Sequence, residues 1–326
     1  MFIMRAPLRI SLAGGGSDLI PFSSKFGGQV ASFAINKYVY LAFHETFLDG
    51  IRLAYSRTEN INDKSQIEHP LFKNAFNFFD FKESIEIGSF ADVPSSGTGL
   101  GSSSAFTVAL VAGLRKLTAQ SLDKMTIAEI ACHIEIDMCG DPIGKQDQFA
   151  SAFGGINHFV FNRDGSTDVH PIELNNKAVE AATNSLFLYY LDMGRSASKI
   201  LKEQSRLMTL GSQQVENTAK LALQVPQMIE ALLDGDVYRI GKLLNESWVL
   251  KRELTQSTTN STIDGYYDLG LTLGALGGKV LGAGGGGFLL MCVPQNKQIN
   301  FKANFPLRQV PFQVDFNGVR EISLLN

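Results

Sequence analysis

The stretch VPSSGTGLGSSSAF, residues 93–106, carries three glycines and five serines in fourteen positions and runs directly into the apolar stretch TVALVAGL. Residues 103–118 are apolar on nearly every side, the pattern of a helix buried on several faces. The preceding SIEIGSFADVP reads as a strand. Small residues between a strand and a buried helix let the backbone approach a ligand, and N–H groups at the helix start suit an anion such as phosphate. Taken in isolation, the same composition favours a surface loop with a serine cap. A Walker A loop is excluded, because no lysine occurs between Lys82 and Lys116.

Outward from this loop, the first 60 residues alternate short apolar runs with glycine turns (RISLA, GGGSD, GQVASFAI, YVYLAFHETF), which predicts an early antiparallel sheet. A helix is predicted from Thr126, where TIAE has capping-box spacing between Thr126 and Glu129, to Cys139–Gly140. LFLYYLDMG reads as a strand, long amphipathic helices follow to residue 255, and strands return in GGKVLGAGGGGFLLMCVP, VPFQVDF and VREISLL. The change of texture near residue 184 predicts two domains, 1–183 and 184–326. Residues 282–287, GAGGGG, satisfy G-x-G-x-x-G by spacing, but a strand follows and no acid occurs before Asp315, so a dinucleotide fold is excluded. By itself this loop is a crowded turn in which only glycine fits.

The 326 residues are 44% hydrophobic and 19% charged with a net charge of −3, the balance of a globular protein. The 29 Lys and Arg form no basic stripe, which argues against nucleic acid. Three widely spaced cysteines argue for a reducing compartment, hence the cytoplasm. Arg5 and Arg9 interrupt the N-terminal apolar run, and no apolar stretch is long enough to span a membrane.

Among the acids, Glu135 has Ala128, Ala131, Cys132, Met138 and Cys139 as helical neighbours, so a carboxylate stands on an apolar, small-residue face. It needs a metal or a basic partner there, and spacing does not choose between them. Asp147, in GKQDQFASAFGG, is either a general base or the N-cap of QFASAF. Asp18, after the GGG triplet, suits a helix cap or sugar hydroxyls. The five dispersed histidines have no zinc-ligand spacing.

Three motifs fall in one order: PLRISLAGGGSD (7–18), PSSGTGLGSSSAF (94–106) and KVLGAGGGGF (279–288). Together they resemble the GHMP kinases, the superfamily of galactokinase, homoserine kinase, mevalonate kinase and phosphomevalonate kinase, over nearly the whole chain. APLRISLAGGGSD with GKQDQFASAFGG is similar to the members that phosphorylate D-glycero-D-manno-heptose 7-phosphate at C1. The resemblance implies an α+β fold with an N-terminal domain like ribosomal protein S5 domain 2, a ferredoxin-like C-terminal domain and an active site between them. It implies ATP held by Pro94, Ser95, Ser96, Gly97, Gly99, Leu100, Gly101, Ser102, Ser103 and Ser104, and Mg2+ held by Ser103 and Glu135. It makes Asp147 the catalytic base and Arg9 the cation that keeps it ionised.

Asp18 with Gly15, Gly16 and Ser17, together with Gly284 and Gly285, is implied to bind the substrate. For an acceptor that already carries a phosphate, Arg195 and Lys145 are the candidate anchors. The implied partners are ATP and a small sugar phosphate, without nucleic acid or membrane. Gly15, Gly16 and Ser17 replace the Glu-His pair that precedes this Asp in galactokinases, which counts against galactose. The alternatives are another acceptor (fucose, galactose or a mevalonate-type alcohol) or a GHMP-fold protein that binds without catalysis.

Overall fold

The computed structural model describes residues 1–47, 49–94, 97–193 and 197–322. Among them the strands are β1 (Phe2–Ala13), β2 (Gly28–Glu45), β3 (Ile51–Ala54), β4 (Thr58–Ile61), β5 (Ile85–Ala91) and β6 (Ile156–Phe161). There follow β7 (Thr167–Pro171), β8 (Leu186–Tyr190), β9 (Gly277–Val280), β10 (Phe288–Cys292), β11 (Arg308–Gln309) and β12 (Arg320–Ile322). Eight of them build one sheet in the order β12-β1-β2-β5-β3-β4, with β6 on the first half of β2 and β7 beside β6. The other four build an antiparallel sheet, β11-β8-β10-β9.

β1 is the central positioning strand. Its last eight residues are all buried, as expected for a strand covered on both faces. Pro7, which cannot donate to a ladder, sits where the β1–β2 register slips between Pro7 and Leu8. After this irregularity strand alternation sends Leu8, Ile10 and Leu12 into the core and places Arg9 and Ser11 together on the opposite face. The helix Ser102–Leu117, with 13 of its 16 residues buried, lies against β1 and β2. One core runs from these elements through Val225 and Met228 to Leu281 and Phe288, so the two halves share apolar packing. A second core gathers Trp248, Tyr267, Phe301 and Phe305 around the smaller sheet.

Several local expectations are corrected. The helix predicted from Thr126 starts at Lys124, with Asp123 as the cap that accepts from the Thr126 N–H at 2.8 Å. It continues as a π-helical segment, His133–Met138, that carries Glu135. VPFQVDF is not a strand: only Val314 forms a bridge, to Ile35. At the expected boundary, residue 184 falls in the last turn of the helix Asn176–Ser185, and β12, the last described strand, pairs with β1 in the first sheet. Among the described residues no helix is long and apolar enough to cross a membrane.

Candidate active site

A cavity of about 750 Å³ opens between the two halves, walled by β1, the 97–104 loop, the 144–147 segment, the helix Ala197–Leu210 and the 279–283 turn. At its floor Arg9, 2% exposed, grips one oxygen of Asp147: Nε donates to Oδ1 at 2.7 Å, and Nη2 lies 2.6 Å from the same atom. Among the described residues Oδ2 of Asp147 accepts no hydrogen bond. Asp147 is the second residue of the helix Gln146–Phe153, whose cap is Lys145, so the capping alternative does not hold. A carboxylate in a first helical turn is favoured by the helix dipole, and here it is also neutralised by a buried guanidinium.

The glycine loop is stitched to this pair. Arg9 Nη1 donates to the Gly99 carbonyl at 2.6 Å, and the Arg9 N–H donates to the Leu100 carbonyl at 3.0 Å. Gly97, Gly99 and Gly101 all have positive φ, between 69° and 78°. These left-handed positions let the loop turn tightly before the start of the helix Ser102–Leu117, whose first N–H groups suit an anion. Leu100 is fully buried and serves as an anchor, and Pro94 does not line the cleft. Ser95 and Ser96 lie outside the described residues, as does Arg195.

The second glycine loop explains its own composition. A Cβ on Gly99 would collide with the Leu281 carbonyl, and one on Gly282 with the Gly99 backbone, so the two loops touch main chain to main chain. Gly284 and Gly285 are turned toward Thr258, whose carbonyl accepts from the Gly285 N–H at 2.7 Å. They do not line the cleft.

Asp18, 3% exposed, does line the cleft: Oδ1 accepts from the Gly16 N–H at 3.1 Å and Oδ2 from the Gln146 N–H at 3.3 Å. Burial, then the charge of Asp147, raises its pKa. Gly15 and Gly16 line the same wall. Ser17 is buried behind it, its hydroxyl 2.7 Å from the Gly14 carbonyl and 2.9 Å from that of Gln29, so it pins the turn and does not face a ligand. Lys145 points away from the cleft and donates to the Gly165 carbonyl.

Glu135, with no exposed surface, sits one layer behind the cleft. It accepts from the Ser103 hydroxyl at 3.0 Å and from Gln148 Nε2 at 2.5 Å. Among the described residues it has no basic partner, so the salt-bridge alternative does not hold. Burial pushes its pKa up to about 7 against the stabilising hydrogen bonds of Ser104, Gln148 and Ser103. Beside it the Gln148 Oε1 is buried without a partner. An uncompensated carboxylate, a hydroxyl and an orphaned carbonyl oxygen are the donors that a hard divalent cation takes.

Sequence reasoning assigned no role to Ser11, Gln146, Gln204, Lys251 and Lys279, which also line the cleft. The Ser11 hydroxyl and Gln146 Oε1 are buried without hydrogen-bond partners. Ser11 was findable, since it alternates with Arg9 in a stretch, residues 6–13, that is otherwise apolar. Gln204 carries no local signal, because it arrives from a helix nearly 190 positions from Gly16, which it faces.

Family models for the GHMP kinases N terminal domain and the GHMP kinases C terminal match residues 70–155 and 228–306. The chain is 28% identical to a D-glycero-alpha-D-manno-heptose 7-phosphate kinase of Campylobacter jejuni, over 91% of this chain and 90% of that one. It is 25% identical to a galactokinase of Thermotoga petrophila over 88% of each. A crystal structure of a D-glycero-D-manno-heptose 1-phosphate kinase from Bacteroides thetaiotaomicron superposes with a TM-score of 0.81 at 27% identity, covering 100% of both chains.

Proposed function

The chain belongs to the GHMP kinases and is an ATP-dependent sugar kinase, and from that premise we propose that its acceptor is a phosphorylated heptose, D-glycero-D-manno-heptose 7-phosphate, taken at the C1 hydroxyl. The observation that carries this reading is the Arg9–Asp147 pair, which leaves one carboxylate oxygen open beside the glycine loop. Ser103 and Glu135 would hold Mg2+, which when bound neutralises charge on the β- and γ-phosphates. The amides of Gly97–Ser104 cradle the triphosphate. Asp147 aligns the acceptor hydroxyl and takes its proton on Oδ2, while Arg9 holds Oδ1 and faces the charge that develops. An anomeric hydroxyl is more acidic than an ordinary alcohol, so a carboxylate suffices as base. Asp18, Ser11, Gln146 and Gln204 offer hydrogen bonds to the sugar. An ATP donor and three free cysteines fit a cytoplasmic setting.

The test is a coupled assay over heptose 7-phosphate, heptose 1-phosphate, unphosphorylated heptose, galactose and fucose. The expected result is a kcat/KM for heptose 7-phosphate at least about 10²-fold above the unphosphorylated sugars, the worth of a charge-assisted contact. Equal rates on heptose with and without phosphate would overturn the acceptor assignment, and a preference for fucose or galactose would replace it.

The sugar wall has its own check. A Cβ on Gly144 would clash with the Asp18 carboxylate, so Gly144→Ala is expected to raise the acceptor KM several-fold, about 1 kcal/mol of lost hydrogen bonding, with the ATP KM unchanged. A rise in the ATP KM alone would remove Asp18 from the sugar side.

A further inference from the structure

Two lysines enter the cleft from the second half of the chain. Lys279 is on β9 and only 4% exposed, and Lys251 is near the end of the helix Val237–Arg252. The helix and the strand approach closely, since a Cβ on Gly277 would strike the Gly241 carbonyl. The Lys251 ammonium lies against the backbone of residues 280–282, where Gly282 meets Gly99, and the Lys279 ammonium lies against Leu12 at the end of β1. Lys251 Nζ donates to the Val280 carbonyl at 3.0 Å and to the Gly282 carbonyl, and Lys279 Nζ lies 3.3 Å from the Leu12 carbonyl.

Among the described residues neither lysine has a carboxylate within the 4.0 Å of a salt bridge. Asp147 is taken by Arg9, and Asp18 is held by amides. Carbonyl dipoles occupy two N–H groups of Lys251 and one of Lys279, which leaves three donors unused and each ammonium group, when protonated, without a counter-ion. Burial, then repulsion from neighbouring cations, lowers the pKa of Lys251 and brings that of Lys279 down to about 7. Unpaired buried ammonium groups cost several kcal/mol, by order of magnitude. An apolar residue at either position would avoid that cost in a protein without an anionic ligand.

We infer that Lys251 and Lys279 form a phosphate-dianion subsite on the wall of the cleft supplied by β9 and the helix Val237–Arg252, distinct from the amide cradle of residues 97–104. The inference rests on the kinase reading for the source of the phosphate, which is either the terminal phosphoryl group of the nucleotide or the ester already on the acceptor. The subsite itself does not depend on which sugar is used.

The experiment compares wild type, Lys251→Met and Lys279→Met by calorimetry with pyrophosphate, ADP, a non-hydrolysable ATP analogue and heptose 7-phosphate, together with thermal melting. Each variant is expected to bind pyrophosphate at least about tenfold more weakly, to bind ADP as wild type does, and to melt at the same or a higher temperature, because an unpaired buried charge is gone. A loss on the ATP analogue assigns the subsite to the nucleotide, and a loss on heptose 7-phosphate assigns it to the acceptor. Either supports the subsite. Unchanged affinities for all four ligands overturn it, and a lower melting temperature with loss of ADP binding as well overturns it in favour of a structural role. If no sugar is phosphorylated, the kinase reading of the acceptor fails while the pyrophosphate measurement still decides the subsite.

Discussion

Asp147→Asn is expected to lower kcat by about 10²- to 10⁴-fold, with less than a tenfold change in the acceptor KM. An asparagine fits the same space, and its amide oxygen can still receive Arg9, which now holds Oδ1 at 2.7 Å. What it removes is Oδ2 as a proton acceptor and the charge that balances a guanidinium only 2% exposed. The companion variant Arg9→Met removes the other half of one unit, so the double variant should lose far less than the product of the two single losses. Steady-state kinetics on both acceptor and ATP, with ADP affinity as a folding control, checks the expectation. A defect confined to KM would make Asp147 a binding group.

How much of this site was legible in the chain follows from the range of each signal. Glycine loops are local, so their order carries the family resemblance that implies the fold, and an acid on an apolar helical face marks Glu135 as needing a partner. The same composition could not tell a glycine that faces a ligand from one crowded by backbone. Gly99 and Gly282 meet main chain to main chain, whereas Gly284 and Gly285 are turned toward Thr258 and do not line the cleft. Side chains brought in by tertiary packing were invisible for a different reason. Lys251 and Lys279 carry no mark of a cleft in the sequence; the close contact of helix and strand at Gly277 accompanies the placement of Lys279 beside Leu12, from the other end of the chain, and of Lys251 beside the Val280 and Gly282 carbonyls. Likewise the return of β12 to β1 has no local mark, because edge pairing depends on which strand is left uncovered.

Glu135→Gln joins the two levels of argument, since it is expected to change metal dependence and the pH profile of stability together. Without a cation the folded protein holds a proton on Glu135 up to about 7, against 4.5 for an ordinary glutamate, because burial outweighs its hydrogen bonds. A raised pKa means that the group's contribution to stability is complete below pH 4.5 and is lost as the pH climbs through about 7. The loss reaches about 3 kcal/mol by order of magnitude. Glutamine keeps the shape without the charge. In chelator, therefore, the variant should gain on wild type from pH 5 to about 7 in thermal melts and level off above that. With Mg2+ and an ATP analogue the order should reverse, because the wild-type carboxylate then has its counter-charge and the amide does not. Half-maximal turnover of the variant should need about 10²-fold more Mg2+, the upper end of what altered metal-site partners cost. If melting curves stay parallel across that pH range and the Mg2+ requirement does not move, Glu135 is a neutral, protonated core residue that braces Ser103, and the cation must be sought elsewhere along the 97–104 loop.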